Sequence, residues 1–285
     1  GSRVPWDFDT RAMAYVRKKP SDLNSAMADT TQAISLAGHD WRPHARRAEI
    51  FISRGQYKEA LDDLNAAIND HAPVEAIAFI LRGRVHLHNG AHDLAWQDFN
   101  KAIELAPNDA EAYLLRGQAL ASAVHKVVES CRNDGGGQRR VAGDPCSRPV
   151  DFNQAEADFK TAFAKNPKLA QAPYEIGRIM YALDRYDDAV KAFTEAIRVS
   201  PNFALAYNNR GVAYVKLKQR ELAFADFTEA VRHDQRVIAA WTNRADMFAL
   251  AGRRQEAIGD YRKALDIDGN YAPAREGLRR LGVSP

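Results

Sequence analysis

The sequence of 285 residues has little of several features that define common classes of protein. It has no strong excess of positive charge, since 40 basic residues are nearly balanced by 37 acidic ones, which argues against a polyanion-binding protein. No apolar run approaches the roughly 18 residues that a membrane-spanning helix needs. No Ser/His/Asp or Cys/His arrangement, HExxH motif or phosphate-binding glycine loop is visible. The sequence therefore predicts no catalytic residue, no cofactor and no metal site.

Cysteine is also scarce, with only Cys131 and Cys146 in the whole chain. Both lie in a segment rich in Gly, Arg and Pro that cannot bury enough apolar surface to fold by itself. A disulfide between them would close a loop of about 16 residues and contribute roughly 3 kcal/mol of stability. It would also indicate an oxidising compartment. We predict this disulfide, and two unrelated exposed thiols are the alternative.

What the sequence does have is a repeating pattern of small and aromatic residues at helical spacing. Between residues 204 and 237 two amphipathic halves carry this pattern, at Tyr207, Gly211 and Tyr214 and then at Ala223, Phe227 and Ala230. Small residues let two helix backbones approach, and aromatic rings fill the space beside them. The same pattern returns 34 residues later, from Trp241 to Ala264.

A helix–turn–helix period of 34 residues resembles the tetratricopeptide repeat (TPR) family. The resemblance covers nearly the whole chain and implies an all-α solenoid, wound as a right-handed superhelix, whose repeats are stabilised mainly by their neighbours. Clear repeats begin at residues 41, 76, 110, 170, 204 and 238. We expect a degenerate N-terminal hairpin in residues 1–40, an array in residues 41–271 with an inserted loop at about 123–150, and a capping helix in residues 272–285.

An arginine and an aspartate recur together with the repeat. The arginine precedes the small residue of the first helix, at Arg47, Arg82, Arg116, Arg210 and Arg244. The aspartate precedes the aromatic residue or leucine of the second helix, at Asp63, Asp98, Asp158, Asp226 and Asp260. The repeat that begins at residue 170 lacks both partners and has Ile176 and Ala192 instead. We predict partly buried ion pairs within repeats, because a buried guanidinium needs a partner; a row of arginines that bind an acidic ligand is the alternative.

The resemblance also implies a concave groove lined by the first helix of each repeat. By position, the peptide-binding candidates are Tyr174, Arg178, Tyr181, Asn208, Asn209, Val212, Lys216, Asn243 and Asp246. Asn209 and Asn243 are equivalent, and stacked asparagines can hold the backbone amides of an extended peptide because each offers donors and acceptors. This is similar to asparagine ladders in some peptide-binding TPR proteins, and a solvated polar face is the competing interpretation.

These observations predict a non-catalytic scaffold that binds a peptide or helix of another protein in its groove. The alternative is a regulatory or targeting module of a larger protein, with or without an enzymatic domain. RNA reading is disfavoured because the arginine that recurs with the repeat is matched to an aspartate. Membrane insertion is not expected, and association with a second copy of the chain stays open.

Some TPR domains bind the C-terminal carboxylate of a chaperone with a Lys/Asn clamp. The corresponding positions here hold Ala45 and Glu49, Ile80 and Arg84, and Leu114 and Gln118, so no chaperone tail is predicted. The Arg-Gly and Asp-aromatic variety of repeat is most similar to bacterial TPR proteins. Together with the predicted disulfide, it favours the bacterial periplasm or another extracytoplasmic space over the cytoplasm. The opening Gly-Ser pair resembles an expression scar, behind which a leader, an anchor or a further domain would have been removed.

Overall fold

The computed structural model of the protein describes residues 23–37, 40–69, 75–133 and 152–284. These residues form helices joined by short turns, and no strand occurs in them. The helices are α1 Leu23–Ala37, α2 Arg42–Ser53, α3 Tyr57–Asn69, α4 Ala76–His88, α5 His92–Leu105, α6 Ala110–Asn133, α7 Asn153–Lys165, α8 Gln171–Ala182, α9 Tyr186–Val199, α10 Ala204–Lys216, α11 Arg220–His233, α12 Ile238–Leu250, α13 Arg254–Ile267 and α14 Ala272–Arg280. The all-α helical-repeat fold is therefore confirmed.

Contacts between helices divide the chain into two compact units, residues 1–158 and 159–285. In the first unit α2 packs on α3 and α4 packs on α5. In the second unit the hairpins are α8 with α9, α10 with α11, and α12 with α13, and α14 packs against the last of them. First helices of neighbouring hairpins also touch, as α8 touches α10 and α10 touches α12.

A three-residue turn joins the two helices of each of these hairpins. Its central residue has a positive φ of 58–74° and is Gly55, Gly90, Asp184, Lys218 or Gly252. The next residue donates its N–H to a carbonyl of the preceding helix, as Arg253 does to Phe248 at 2.9 Å. This left-handed helix end favours glycine, so Asp184 and Lys218 hold a backbone conformation that costs their side chains energy.

Close approach of helices within a hairpin depends on glycine facing an aromatic ring. A Cβ atom added to Gly211 would lie 2.7 Å from a ring carbon of Phe227, and one added to Gly83 would lie 2.6 Å from Phe99. Phe99 and Phe227 are at most 1% exposed. The pattern of small and aromatic residues in the sequence thus corresponds to the packing between helices.

Several sequence predictions concern residues that lie outside the described ranges or at their ends. The part of the predicted N-terminal hairpin before Leu23 and the Cys131–Cys146 disulfide lie outside the described residues and stay predictions. In the insertion predicted at about 123–150, α6 continues as helix to Asn133, and the residues from 134 to 150 lie outside the described residues. In the described part of the chain, no helix is both long enough and apolar enough to cross a bilayer.

Candidate functional site

The structure brings each of the five predicted arginines next to its aspartate. In every pair, Nε and Nη2 of the guanidinium donate to the two carboxylate oxygens, at 2.6–3.0 Å. The five aspartates are only 2–7% exposed. A planar guanidinium fits a carboxylate in this bidentate way, which gives both direction and strength to the contact. These guanidinium groups are therefore engaged inside the fold rather than offered to an acidic ligand.

The local environment changes the acidity of these carboxyl groups. Burial by itself raises the pKa of the Asp63 carboxyl, but hydrogen bonds from Arg47 and His44 outweigh burial and hold that pKa below its ordinary value. Asp226 has Arg210 as its donor, and there burial prevails and raises the pKa of the carboxyl. Burial lowers the pKa of the Arg210 guanidinium in turn, but the hydrogen bond and the charge of Asp226 outweigh burial and raise that pKa above its ordinary value.

The same arginines also reach the preceding repeat, which the sequence analysis did not foresee. Nη1 of Arg82 donates to Asn65 Oδ1 at 3.0 Å, and Nη1 of Arg116 donates to Asn100 Oδ1 at 2.6 Å. Arg210 makes the equivalent contact with Thr194 Oγ1 at 3.0 Å. The available signal was a polar residue directly after the aromatic residue or leucine of each second helix. Each of these arginines therefore ties three helices together.

The repeat without the arginine–aspartate pair buries a different carboxylate. Ile176 and Ala192 occupy the two positions, and the neighbouring Glu175 is 6% exposed. Glu175 accepts hydrogen bonds from Arg178 Nη1 at 2.9 Å and from Gln171 Nε2 at 2.7 Å. Arg178, a peptide-binding candidate, thus already has a partner, although its side chain stays 46% exposed.

A chain of hydrogen bonds joins four of the candidates across α8, α10 and α12. Asn243 Nδ2 donates to Asn208 Oδ1 at 2.9 Å, Asn208 Nδ2 donates to Asn209 Oδ1 at 3.0 Å, and Asn209 Nδ2 donates to the Tyr174 hydroxyl at 3.0 Å. We call these four residues the amide chain. The predicted ladder of Asn209 and Asn243 along a bound peptide stays a prediction, and within the fold Asn243 bonds Asn208 and not its equivalent Asn209.

The amide chain keeps some capacity for a ligand. A side-chain amide has two N–H donors and an oxygen that can accept twice, so Asn209 and Asn243 each have a further donor beyond the bonds just described. Both are half-buried, whereas Asn208 and Tyr174 are 6% and 8% exposed. Burial raises the pKa of the Tyr174 phenol, so its hydroxyl keeps its proton at neutral pH. The chain thus presents fixed, uncharged polar groups along the first helices.

The remaining candidates differ in how they are used by the fold. Asp246 accepts from the Tyr261 hydroxyl at 2.5 Å and from Arg280 at 3.1 Å, so it helps to attach α13 and α14. Tyr181 packs on Tyr186, with ring centroids 5.4 Å apart. Val212 is half-buried, and Lys216 is exposed at the end of α10. Of the two charged residues among these four, Lys216 is more open to a ligand than Asp246.

No cluster of three or more metal-binding side chains occurs in the residues that the structure describes. His86, which falls at a core position of its repeat, lies 3.8 Å from Asp98. Burial lowers the pKa of the His86 imidazole, although Asp98 opposes this effect. His86 is thus accounted for by packing and by the ion pair beside it.

Comparison with known protein families gives two kinds of match. The family model described as "TPR repeat" matches residues 177–218. The model described as "Tetratricopeptide repeat" matches residues 46–110 and 210–272. Together these matches cover more than half of the chain.

Curated relatives and solved structures agree with these matches. The Hsp70-Hsp90 organizing protein of Triticum aestivum is 26% identical over 202 residues, which are 70% of this chain and 30% of the wheat protein. DnaJ homolog subfamily C member 7 of Mus musculus is 24% identical over 68% of this chain and 43% of its own length. The chain thus spans less than half of either relative.

Two bacterial structures share the fold. A tetratricopeptide repeat protein from Parabacteroides merdae ATCC 43184 has a TM-score of 0.66 at 18% identity and covers 98% of both chains. The C-terminal part of a TPR repeat-containing protein from Cytophaga hutchinsonii has a TM-score of 0.59 at 16% identity, and covers 95% of this chain and 99% of its own. Similarity at this level of identity concerns the fold.

Proposed function

The chain belongs to the tetratricopeptide repeat family, and on that premise we propose that it is a non-catalytic scaffold for protein–protein interaction. Its ligand is an extended segment of another protein, bound along the face of α8, α10 and α12. The observation that supports this face is the amide chain, in which Asn209 and Asn243 are half-buried and held in place by hydrogen bonds.

The rigidity of the amide chain suits recognition of a peptide backbone. A backbone N–H needs a hydrogen-bond acceptor and a backbone C=O needs a donor, and a side-chain amide provides both. Because the asparagines are already oriented, little side-chain entropy is lost when a ligand binds. The exposed side chains of Arg178 and Lys216 lie on the same first helices and would add contacts to acidic residues of the ligand.

Peptide selection followed by calorimetry tests this proposal. Peptides selected from a random display library on the wild-type protein are titrated into the wild type and into the Asn209→Ala/Asn243→Ala variant. Loss of two hydrogen bonds predicts about a tenfold weaker affinity, or more. Asn202→Ala, at an exposed asparagine outside the amide chain, is the matched control. Equal affinity of wild type and the folded double variant would contradict the proposed site.

The name of the wheat relative refers to Hsp70 and Hsp90, yet the clamp positions of this chain do not suit a chaperone tail. Ala45 and Ile80 are 5% and 2% exposed, and Leu114 is 7% exposed, so these positions are apolar and buried. Glu49 is paired with Arg46 at 2.6 Å. We expect a synthetic Hsp90 C-terminal peptide to show no measurable binding in the same calorimeter, and clear binding would refute this expectation.

The extracytoplasmic bacterial location stays a prediction that rests on the Cys131–Cys146 pair. Titration of thiols in the unreduced, denatured protein tests the pair directly. Two free thiols per chain would remove the argument for an oxidising compartment.

A further inference from the structure

A cleft lies between the start of α11 and the end of α12. Its volume is about 390 Å³, within the range of small binding sites. It is formed by the first turns of α11, the last turn of α12 and the turn that follows. None of the residues that line it belongs to the amide chain, so the two surfaces are separate sites.

The floor of the cleft is apolar and aromatic. Phe224 and Phe248 meet edge to face with ring centroids 5.1 Å apart, and Met247 lies beside them. Leu250 lines the cleft and is 66% exposed, more than any other large apolar residue in the described part of the chain. An apolar group left in water at the edge of an aromatic cleft is typical of an interaction surface.

Leu250 is particular to this repeat. The residues that end the first helices of the other hairpins are Ser53, His88, Ala182 and Lys216. The repeat architecture therefore accepts a polar or small residue at this position and does not itself require a leucine. The packing of the hairpin gives no reason for an exposed leucine, which points to a ligand.

The charges beside the cleft favour an acidic ligand. Arg220 begins α11 and lines the cleft, and it has no carboxylate partner in the described residues. A positive charge at the start of a helix is also unfavourable for the helix itself. Arg253 lies over the Phe248 ring at 4.5 Å and also contacts Glu256 at 2.9 Å. Arg253 is thus already paired, so Arg220 carries the positive charge that is open to a ligand, and Glu221 is the one acidic residue that lines the cleft.

We propose that the α11–α12 cleft is a second docking site, which binds a short peptide of a partner protein through an apolar anchor side chain next to a carboxylate. The anchor rests on Phe224, Met247 and Phe248, and Leu250 covers its outer side. The carboxylate pairs with Arg220. A partner that carries both this motif and an extended segment for the amide chain would be held at two places, which strengthens binding well beyond either contact alone.

Selective labelling of methionine methyl groups provides a direct test. Only four methionines occur in the chain, and Met247 lies in the cleft, whereas Met180 and Met27 lie in α8 and α1. The ¹³C-methyl spectrum of the full chain is followed during titration with three acetylated, amidated peptides: Asp-Phe-Phe-Asp, Lys-Phe-Phe-Lys and Asp-Ala-Ala-Asp. We expect the Met247 signal to move with the first peptide, with little change from the other two, while the Met180 and Met27 signals stay in place.

Three variants separate the contributions. Leu250→Ser, which installs the residue found at the end of α2, and Arg220→Glu should each weaken binding of Asp-Phe-Phe-Asp about fivefold or more. Arg262→Glu makes the same charge change at an exposed arginine on α13, outside the cleft, and should have a much smaller effect. Asn209→Ala/Asn243→Ala should leave the Met247 response unchanged, so failure of the amide-chain proposal is distinguishable from failure of this one.

Several results would overturn the proposal. Equal responses to Lys-Phe-Phe-Lys and Asp-Phe-Phe-Asp would remove the role of charge. Equal effects of Arg220→Glu and Arg262→Glu would show that attraction is not local. A Met247 signal that moves when the protein alone is diluted would show that the occupant is a second copy of the chain.

Discussion

Removal of the Asp226 carboxylate is the sharpest test of how the repeats are held together. Asp226 is 5% exposed, and its carboxylate oxygens accept hydrogen bonds from Nε and Nη2 of Arg210, both at 2.8 Å. Asp226→Ala would leave the Arg210 side chain, itself only 16% exposed, without a counter-charge between α10 and α11. Arg210 would keep only its hydrogen bond to Thr194 and its contacts with the rings of Tyr207 and Tyr214.

The size of the effect follows from burial. Loss of one partner of a fully buried pair costs about 3–5 kcal/mol, because the other charge stays uncompensated. The Arg210 guanidinium is partly open to water, so we expect about 2–3 kcal/mol for Asp226→Ala. Because burial raises the pKa of Asp226, the intact pair also carries a desolvation cost. Removal of both charges should therefore cost much less than removal of one.

The chain provides the matched control in its own sequence. Arg210→Ile/Asp226→Ala reproduces the Ile176 and Ala192 combination that the preceding repeat uses. Urea unfolding followed by circular dichroism should show the single variant least stable and the double variant within about 1 kcal/mol of wild type. If Asp226→Ala lies within about 0.5 kcal/mol of wild type, or if the double variant is less stable than the single one, the reasoning is refuted.

Two further pairs of substitutions test the turn and the packing between helices. Lys218→Gly should raise stability by about 0.5–1 kcal/mol, because glycine holds the left-handed turn without strain. Gly252→Ala at the equivalent position should lower stability. A fall in melting temperature for Lys218→Gly would contradict this expectation. Gly211→Ala should destabilise the protein by about 1–3 kcal/mol, because its Cβ would meet the Phe227 ring. Gly259→Ala should stabilise it slightly, because nothing lies within 4 Å of the added Cβ. Equal melting temperatures for these two variants would show that the close approach of the two helices at Gly211 is unimportant.

Much of the fold follows from local spacing in the sequence. Gly211 and Phe227 recur as a small and an aromatic residue in other repeats, and close packing of two helices requires that combination. The pairing of Arg210 with Asp226 could be inferred because Ile176 and Ala192 replace both partners together. Such inferences succeed where both partners belong to one hairpin, since their separation of 16 residues then recurs from repeat to repeat.

The contacts between hairpins were harder to infer. Asn209 and Asn243 are 34 residues apart, but the hydrogen bonds between first helices join residues 35 apart, Asn243 with Asn208 and Asn209 with Tyr174. This offset of one residue depends on how neighbouring helices are displaced along their axes, which the repeat pattern does not contain. The α11–α12 cleft was also missed, because it depends on how the side chains around Phe224 and Leu250 pack.

The arginines that reach back to the preceding repeat have a consequence for how such a gene can change in length. Arg82 bonds Asn65, and Arg116 bonds Asn100. Excision of residues 76–109 as one block would place Arg116 opposite Asn65, an amide of the same kind as the one it lost. The junction would close with its polar contact re-formed and with no charge left unpaired. Deletion of this one repeat therefore needs no compensating substitution at the arginine that reaches back.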